Sequence, residues 1–112
     1  MLYDFACKIK NVQNTDVLDD DMLNKIVNSV NASHGTSLEF RFVLPSTNSV
    51  PEFLVKAQTS ISSMPVLHEK ELEAAILSFT SYLEKIAEVT EGIVSLQDGF
   101  YNNSKTFKKL YI

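Results

Sequence analysis

Three stretches of the chain alternate strictly between apolar and polar positions. In the first, Tyr3, Phe5, Cys7 and Ile9 fall on one side, with Asp4, Ala6, Lys8 and Lys10 on the other. A period of two in aromatic and branched residues predicts a strand over 2–10 with one wet face. The second sets Leu38, Phe40, Phe42 and Leu44 against Ser37, Glu39, Arg41 and Val43. The third sets Phe53, Val55, Ala57, Thr59 and Ile61 against Glu52, Leu54, Lys56, Gln58 and Ser60. The last two read as a hairpin joined by a loop at Pro45–Ser49. Pro51, which lacks an amide proton, keeps the start of the third strand at an edge or bulge.

Two segments change to helical spacing. Met22, Leu23, Ile26, Val27 and Val30 mark the first helix. Asp19 or Asp20 suits its N-cap, and Gly35 after His34 suits a left-handed C-cap. The second is longer. Leu72, Ile76, Phe79, Leu83, Ile86, Thr90, Ile93, Gln97 and Phe100 recur at alternating steps of four and three, with Ala75, Tyr82, Val89 and Leu96 beside them. This predicts one helix over about 66–98, roughly 32 residues and about 48 Å long at the usual rise. Ser62-Ser63-Met64-Pro65 opens it, with serine as cap and proline in the first turn. Glu69, Glu71 and Glu73 then lie early in the helix, where its dipole favours acids. Gly92 costs up to about 1 kcal/mol inside such a helix and is where it would break. Gly99 is its expected end, and residues 105–112 form a short strand or a frayed tail.

The resulting order, β-α-β-β-α with an optional last β, has the ferredoxin-like arrangement: an α+β sandwich with helices on one sheet face and the other face open. At 112 residues a single domain is expected, because two would each bury too little core. Within it, residues 1–65 form the sheet-and-helix body, 66–98 the long helix and 99–112 a basic aromatic tail. The topology serves many unrelated activities and so carries little functional weight.

The net charge of −4 argues against broad nucleic-acid binding, which needs a basic surface. The balance is uneven: residues 1–98 sum to −7, whereas 99–112 hold Lys105, Lys108 and Lys109 and no acid. Cys7 is the sole cysteine, which excludes an intrachain disulfide and fits a reducing compartment. No apolar run approaches a membrane span, and the first residues lack the layout of a signal peptide. Asn31-Ala-Ser33 and Asn102-Asn103-Ser104 match the glycosylation pattern, which has no meaning without secretion. Lysine outnumbers arginine nine to one and asparagine occurs eight times, the bias of an AT-rich genome, as in many phages, viruses and low-GC bacteria.

No constellation of reactive residues outweighs its structural explanation. Asp19-Asp20-Asp21 lacks the interleaved spacing of a calcium loop and is better read as capping. His68 and Glu71 lie one turn apart with no further ligands in reach, and His34 sits at a helix end. Cys7 falls on the apolar side of its strand, where a thiol is packing rather than a nucleophile. Glu84, Glu88 and Glu91 form an exposed acidic row. Tyr3, Phe5, Phe40 and Phe42 all face the core side, so no aromatic platform for RNA bases is expected on the other. Phe100, Tyr101, Phe107, Leu110 and Tyr111 interleave with lysines, the character of an edge strand protected against aggregation.

A helix of about 48 Å overhangs strands of about 27 Å by roughly 20 Å. Its apolar residues near 86–97 would then need a partner. The chain therefore reads as a small non-enzymatic interaction or regulatory protein, with no cofactor or metal. The expected interface is Phe79, Leu83, Ile86, Val89, Ile93, Leu96 and Phe100. A homodimer is the most economical partner, since one patch serves both subunits. Thr90 and Gln97 on the seam would set register. Blocking a host protein, as a viral or phage factor in the host cytoplasm, is one such role. The alternatives are a break at Gly92 that folds the chain back on its own domain, and a small-ligand regulatory domain with its site at a dimer interface.

Overall fold

The computed structural model describes residues 1–13, 18–43, 52–96, 99–102 and 107–109. The elements are β1 (Leu2–Lys10), α1 (Asp20–His34), β2 (Glu39–Val43), β3 (Phe53–Ser60), α2 (Pro65–Thr90), β4 (Ile93–Val94), β5 (Phe100–Asn102) and β6 (Phe107–Lys109). The expected loop at Pro45–Ser49, Pro51, the seam residue Gln97, Asn103, Ser104, Lys105, Leu110 and Tyr111 lie outside the described residues.

All described strand pairs are antiparallel, in the order β2, β3, β1, β5, β6, with β4 pairing to the far end of β1. β1 is therefore central. Tyr3, Phe5, Cys7 and Ile9 are buried and Asp4, Lys8 and Lys10 exposed, as the alternation predicts, but Ala6, expected on the wet face, is buried because its methyl group lies between neighbouring strands. Paired bonds between Met1 and Ile61 extend the ladder with β3, at 2.9 and 2.8 Å.

The inward faces of β1 and β3 form one core with Ile26 and Val30 of α1 and with Ala75, Phe79, Tyr82, Leu83 and Ile86 of α2. Each fully buried aliphatic or aromatic side chain contributes about 1.5–3 kcal/mol relative to exposure. Aromatic rings bind the layers together. Phe40 of β2 stacks on Tyr82 with centroids 3.8 Å apart, and Phe5 lies 5.4 Å from Phe79 and 5.8 Å from Tyr101. The result is a mixed α+β domain with an antiparallel sheet and two helices.

The helix ends follow local chemistry. Asp19 caps α1, its Oδ1 accepting from the Met22 amide at 2.8 Å, and Gly35 closes it at φ 65°. At α2 the expected serine cap is replaced. Met64 occupies the cap position without a side-chain bond, while Ser62 Oγ accepts from the Met64 amide. Glu71 Oε2 accepts from the Ser62 amide at 3.1 Å, tying the helix back to the preceding loop.

α2 has 26 residues and stops at Thr90, short of the expected 98. Glu91 takes a left-handed cap at φ 55°, and the next residues return to the sheet, where Ile93 pairs with Lys10 and Val94 with Ile9. Gly92 permits this return. A Cβ there would lie 2.6 Å from Ile9 Cγ2 and 3.3 Å from the Lys10 carbonyl oxygen. Pairing with β1 satisfies backbone groups that a projecting helix end would leave to water. The Thr90 carbonyl accepts from the Gln13 amide at 2.8 Å, and its hydroxyl donates to the Ile86 carbonyl at 2.6 Å. Gly99, the expected helix end, lies beyond α2, and its amide donates to the Leu96 carbonyl.

Candidate binding surfaces

Phe79, Leu83 and Ile86 have no exposed surface, because they are used in the chain's own core. Val89 and Leu96 are half-buried. Ile93 and Phe100 are exposed, but they lie on β4 and β5, not on a helix. The seven expected interface residues thus form no continuous outer stripe. A period of three and four cannot distinguish a face that meets a partner from one that meets the chain's own sheet.

Two other surfaces are assembled by the fold. The first lies where β1 starts and α2 begins. Met1, Met64, Val66 and Leu67 are all exposed there, with Val66 at 77%, and Leu2 is exposed on the opposite face of the sheet. The Met1–Ile61 bonds place the start of β1 beside the loop that leads into α2. Leu77 extends the apolar side three turns along the helix, with exposed Lys70 and Glu73 between.

The second surface is the face of the sheet opposite the helices. Glu39, Gln58, Asp4 and Asn102 form one row across β2, β3, β1 and β5. Arg41, Lys56, Ala6 and Phe100 form the next. Gln58 Nε2 donates to Asp4 Oδ1 at 3.0 Å, and Lys8 pairs with Glu52 at 3.7 Å. Together the two rows line a cavity of about 550 Å³. The alternation assigned Asp4, Glu39, Arg41, Lys56 and Gln58 to outward faces. The pairing of Arg41 with Lys56 was not foreseeable, because it depends on register across the loop between β2 and β3.

The two histidines and the cysteine have structural partners. His68 Nε2 lies 2.7 Å from the Tyr3 hydroxyl, and His34 Nε2 lies 3.1 Å from Ser81 Oγ. Cys7 is buried, its Sγ 3.4 Å from the Ser95 carbonyl oxygen. Glu84, Glu88 and Glu91 are exposed. Among the described residues no three His, Cys, Asp or Glu side chains are placed to hold a metal ion, and no helix is long and apolar enough to cross a membrane. Burial raises the phenol pKa of Tyr82, and that of Tyr101 is raised by burial and then by the neighbouring Tyr3.

No protein-family model matches the chain, and no curated protein matches it in sequence. Among solved structures it is similar to the de novo designed protein Foldit4, with a TM-score of 0.55 and 12% identity, over 92% of this chain and 98% of that one. At that identity the likeness concerns the fold alone.

Proposed function

We propose that the chain is a small non-enzymatic interaction protein that self-associates through the N-terminal half of α2. The observation that carries this reading is the exposure of Met64, Val66, Leu67 and Leu77 at and after the start of α2. Apolar side chains exposed along one side of a helix are candidates for an interaction site. A second copy is the occupant that the charge pattern favours. Lys70 and Glu73 are exposed beside the patch, so two α2 helices crossing about a two-fold axis place opposite charges across the seam. The interface expected at residues 79–100 thereby moves to residues 64–77.

The strand order β2, β3, β1, β5, with both helices contributing to one core, supports a ferredoxin-like reading extended by β6. A single, buried cysteine fits work in a reducing cytoplasm, the host's if the source is viral.

Size-exclusion chromatography with light scattering tests the proposal. The chain should run at twice 12.6 kDa, and Val66→Glu with Leu77→Glu should yield a folded monomer. A wild-type monomer at about 100 μM, where a dimer with a Kd of about 1 μM would be almost fully formed, would refute self-association.

A further inference from the structure

Arg41 and Lys56 are direct cross-strand partners on the open face of the sheet. Like charges set opposite each other in this way cost stability. Among the described residues neither side chain makes an ion pair. The same row continues to Ala6 on β1 and Phe100 on β5. Ala6 carries only a methyl group, which leaves a hollow between the two cations on one side and Phe100 on the other. Phe100 is 39% exposed, although it is aromatic and sits on a sheet face otherwise rich in charge. The cavity lined by these residues, about 550 Å³, is of the size that holds small molecules.

We propose that this row binds a small aromatic anion, with its ring over Ala6 against Phe100 and its anionic group between Arg41 and Lys56. Strands lie about 4.8 Å apart, so the Lys56 and Phe100 backbones are about 10 Å apart. That separation fits a ring joined by a short link to a phosphate or carboxylate. A bare inorganic anion would neutralise the cations but leave most of the hollow above Ala6 unfilled. The flanking row selects further. Asp4 and Glu39 lie two residues along the strands, about 7 Å away. Their carboxylates accept N–H groups from a ring and repel additional negative charge. With a net charge of −4, this disfavours a long polyanion, so the ligand is a free small molecule rather than a nucleic-acid strand. The site is independent of the self-association proposed along α2.

The test uses the ¹⁵N-labelled full chain and two-dimensional NMR, with adenosine 5′-monophosphate as the probe. Adenosine, inorganic phosphate and a single-stranded oligoadenylate are titrated in parallel. The monophosphate should give saturable shifts centred on Ala6, Arg41, Lys56 and Phe100. Adenosine and phosphate should each bind at least about tenfold more weakly, since each lacks one charge-assisted or stacking contact. Lys56→Gln and Phe100→Ala should each weaken the monophosphate by about tenfold while leaving the rest of the spectrum in place. The absence of saturable shifts, shifts centred elsewhere, or phosphate binding as tightly as the monophosphate would overturn the proposal. So would oligoadenylate binding more tightly per strand than the monophosphate.

Discussion

Asn31 and Leu38 exchange two hydrogen bonds across the turn that ends α1. Asn31 Nδ2 donates to the Leu38 carbonyl at 3.1 Å, and Asn31 Oδ1 accepts from the Leu38 amide at 3.0 Å. The side chain thus acts as a short strand partner for backbone that precedes β2. Thr36 Oγ1 adds a third contact, 2.8 Å from Asn31 Oδ1, and lies 2.9 Å from Ser78 Oγ on α2. Replacing Asn31 by alanine strands the amide and carbonyl of Leu38, whose side chain is in the core. The expected loss is about 2–3 kcal/mol in urea unfolding, since each stranded buried group costs about 1–3 kcal/mol. Asn31→Asp should also destabilise, because it places a carboxylate against the Leu38 carbonyl. A loss below about 0.5 kcal/mol for either variant, the usual size of an inconsequential surface change, would show that the turn holds itself.

Gly92 and Gly35 should respond differently to the same substitutions. At Gly35 nothing lies within 4 Å of an added Cβ, but φ is 65°. Alanine there should cost about 1 kcal/mol through backbone conformation, and asparagine, which tolerates the left-handed region, should cost less. At Gly92 the obstacle is Ile9 Cγ2 at 2.6 Å. Alanine should cost about 1–3 kcal/mol by overpacking, and asparagine more. Thermal unfolding of the four variants checks the opposite orders. Equal tolerance of asparagine at both sites would mean that β4 separates readily from β1.

The alternating and helical periods locate β1, β3 and α1 closely, because in each of them local pattern and final burial agree. Residues Tyr3, Phe5, Cys7 and Ile9 needed only one face of one strand to be recognised. The end of α2 departs from the helical spacing for a physical reason. Ile93 and Leu96 continue the helical spacing, yet the chain leaves the helix at Glu91, where tertiary pairing to Lys10 and Ile9 overrides propensity. The break at Gly92, considered as an alternative, is what the chain adopts. Register was the second thing out of reach. The outward faces of β2 and β3 were legible, but the opposition of Arg41 to Lys56 depends on how a loop sets the pairing.

Ile86 should behave as a core residue and Val66 as a surface residue, although both lie on α2. Ile86 has no exposed surface, whereas Val66 is 77% exposed. Ile86→Ala should lower stability by about 2–5 kcal/mol through lost burial and a residual cavity. Val66→Ala should change it by less than about 0.5 kcal/mol in the monomer. Circular dichroism in urea separates the two. A mild Ile86→Ala would contradict the packing of α2 against β1.

Alkaline pH should destabilise the fold through Tyr82. Its ring is 1% exposed and stacks on Phe40 with centroids 3.8 Å apart. Burial disfavours the phenolate, so its folded pKa lies above the ordinary value of 10.0. The native chain therefore holds a proton that the unfolded chain releases once the pH passes about 10. The sign follows: this stabilisation is complete below about pH 10 and declines as the pH rises toward the folded pKa, by at most about 1.4 kcal/mol per pH unit for one group. Tyr101 adds a decline in the same direction, since burial and then the neighbouring Tyr3 raise its phenol. Every other titratable group is shared by the wild type and Tyr82→Phe. The difference between the two proteins isolates Tyr82. Between about pH 10 and 12 the variant should lose stability less steeply, and below about pH 9 the two curves should run parallel. Parallel curves through pH 12 would mean that the Tyr82 hydroxyl reaches water, and that its stacking on Phe40 does not exclude solvent from the phenol.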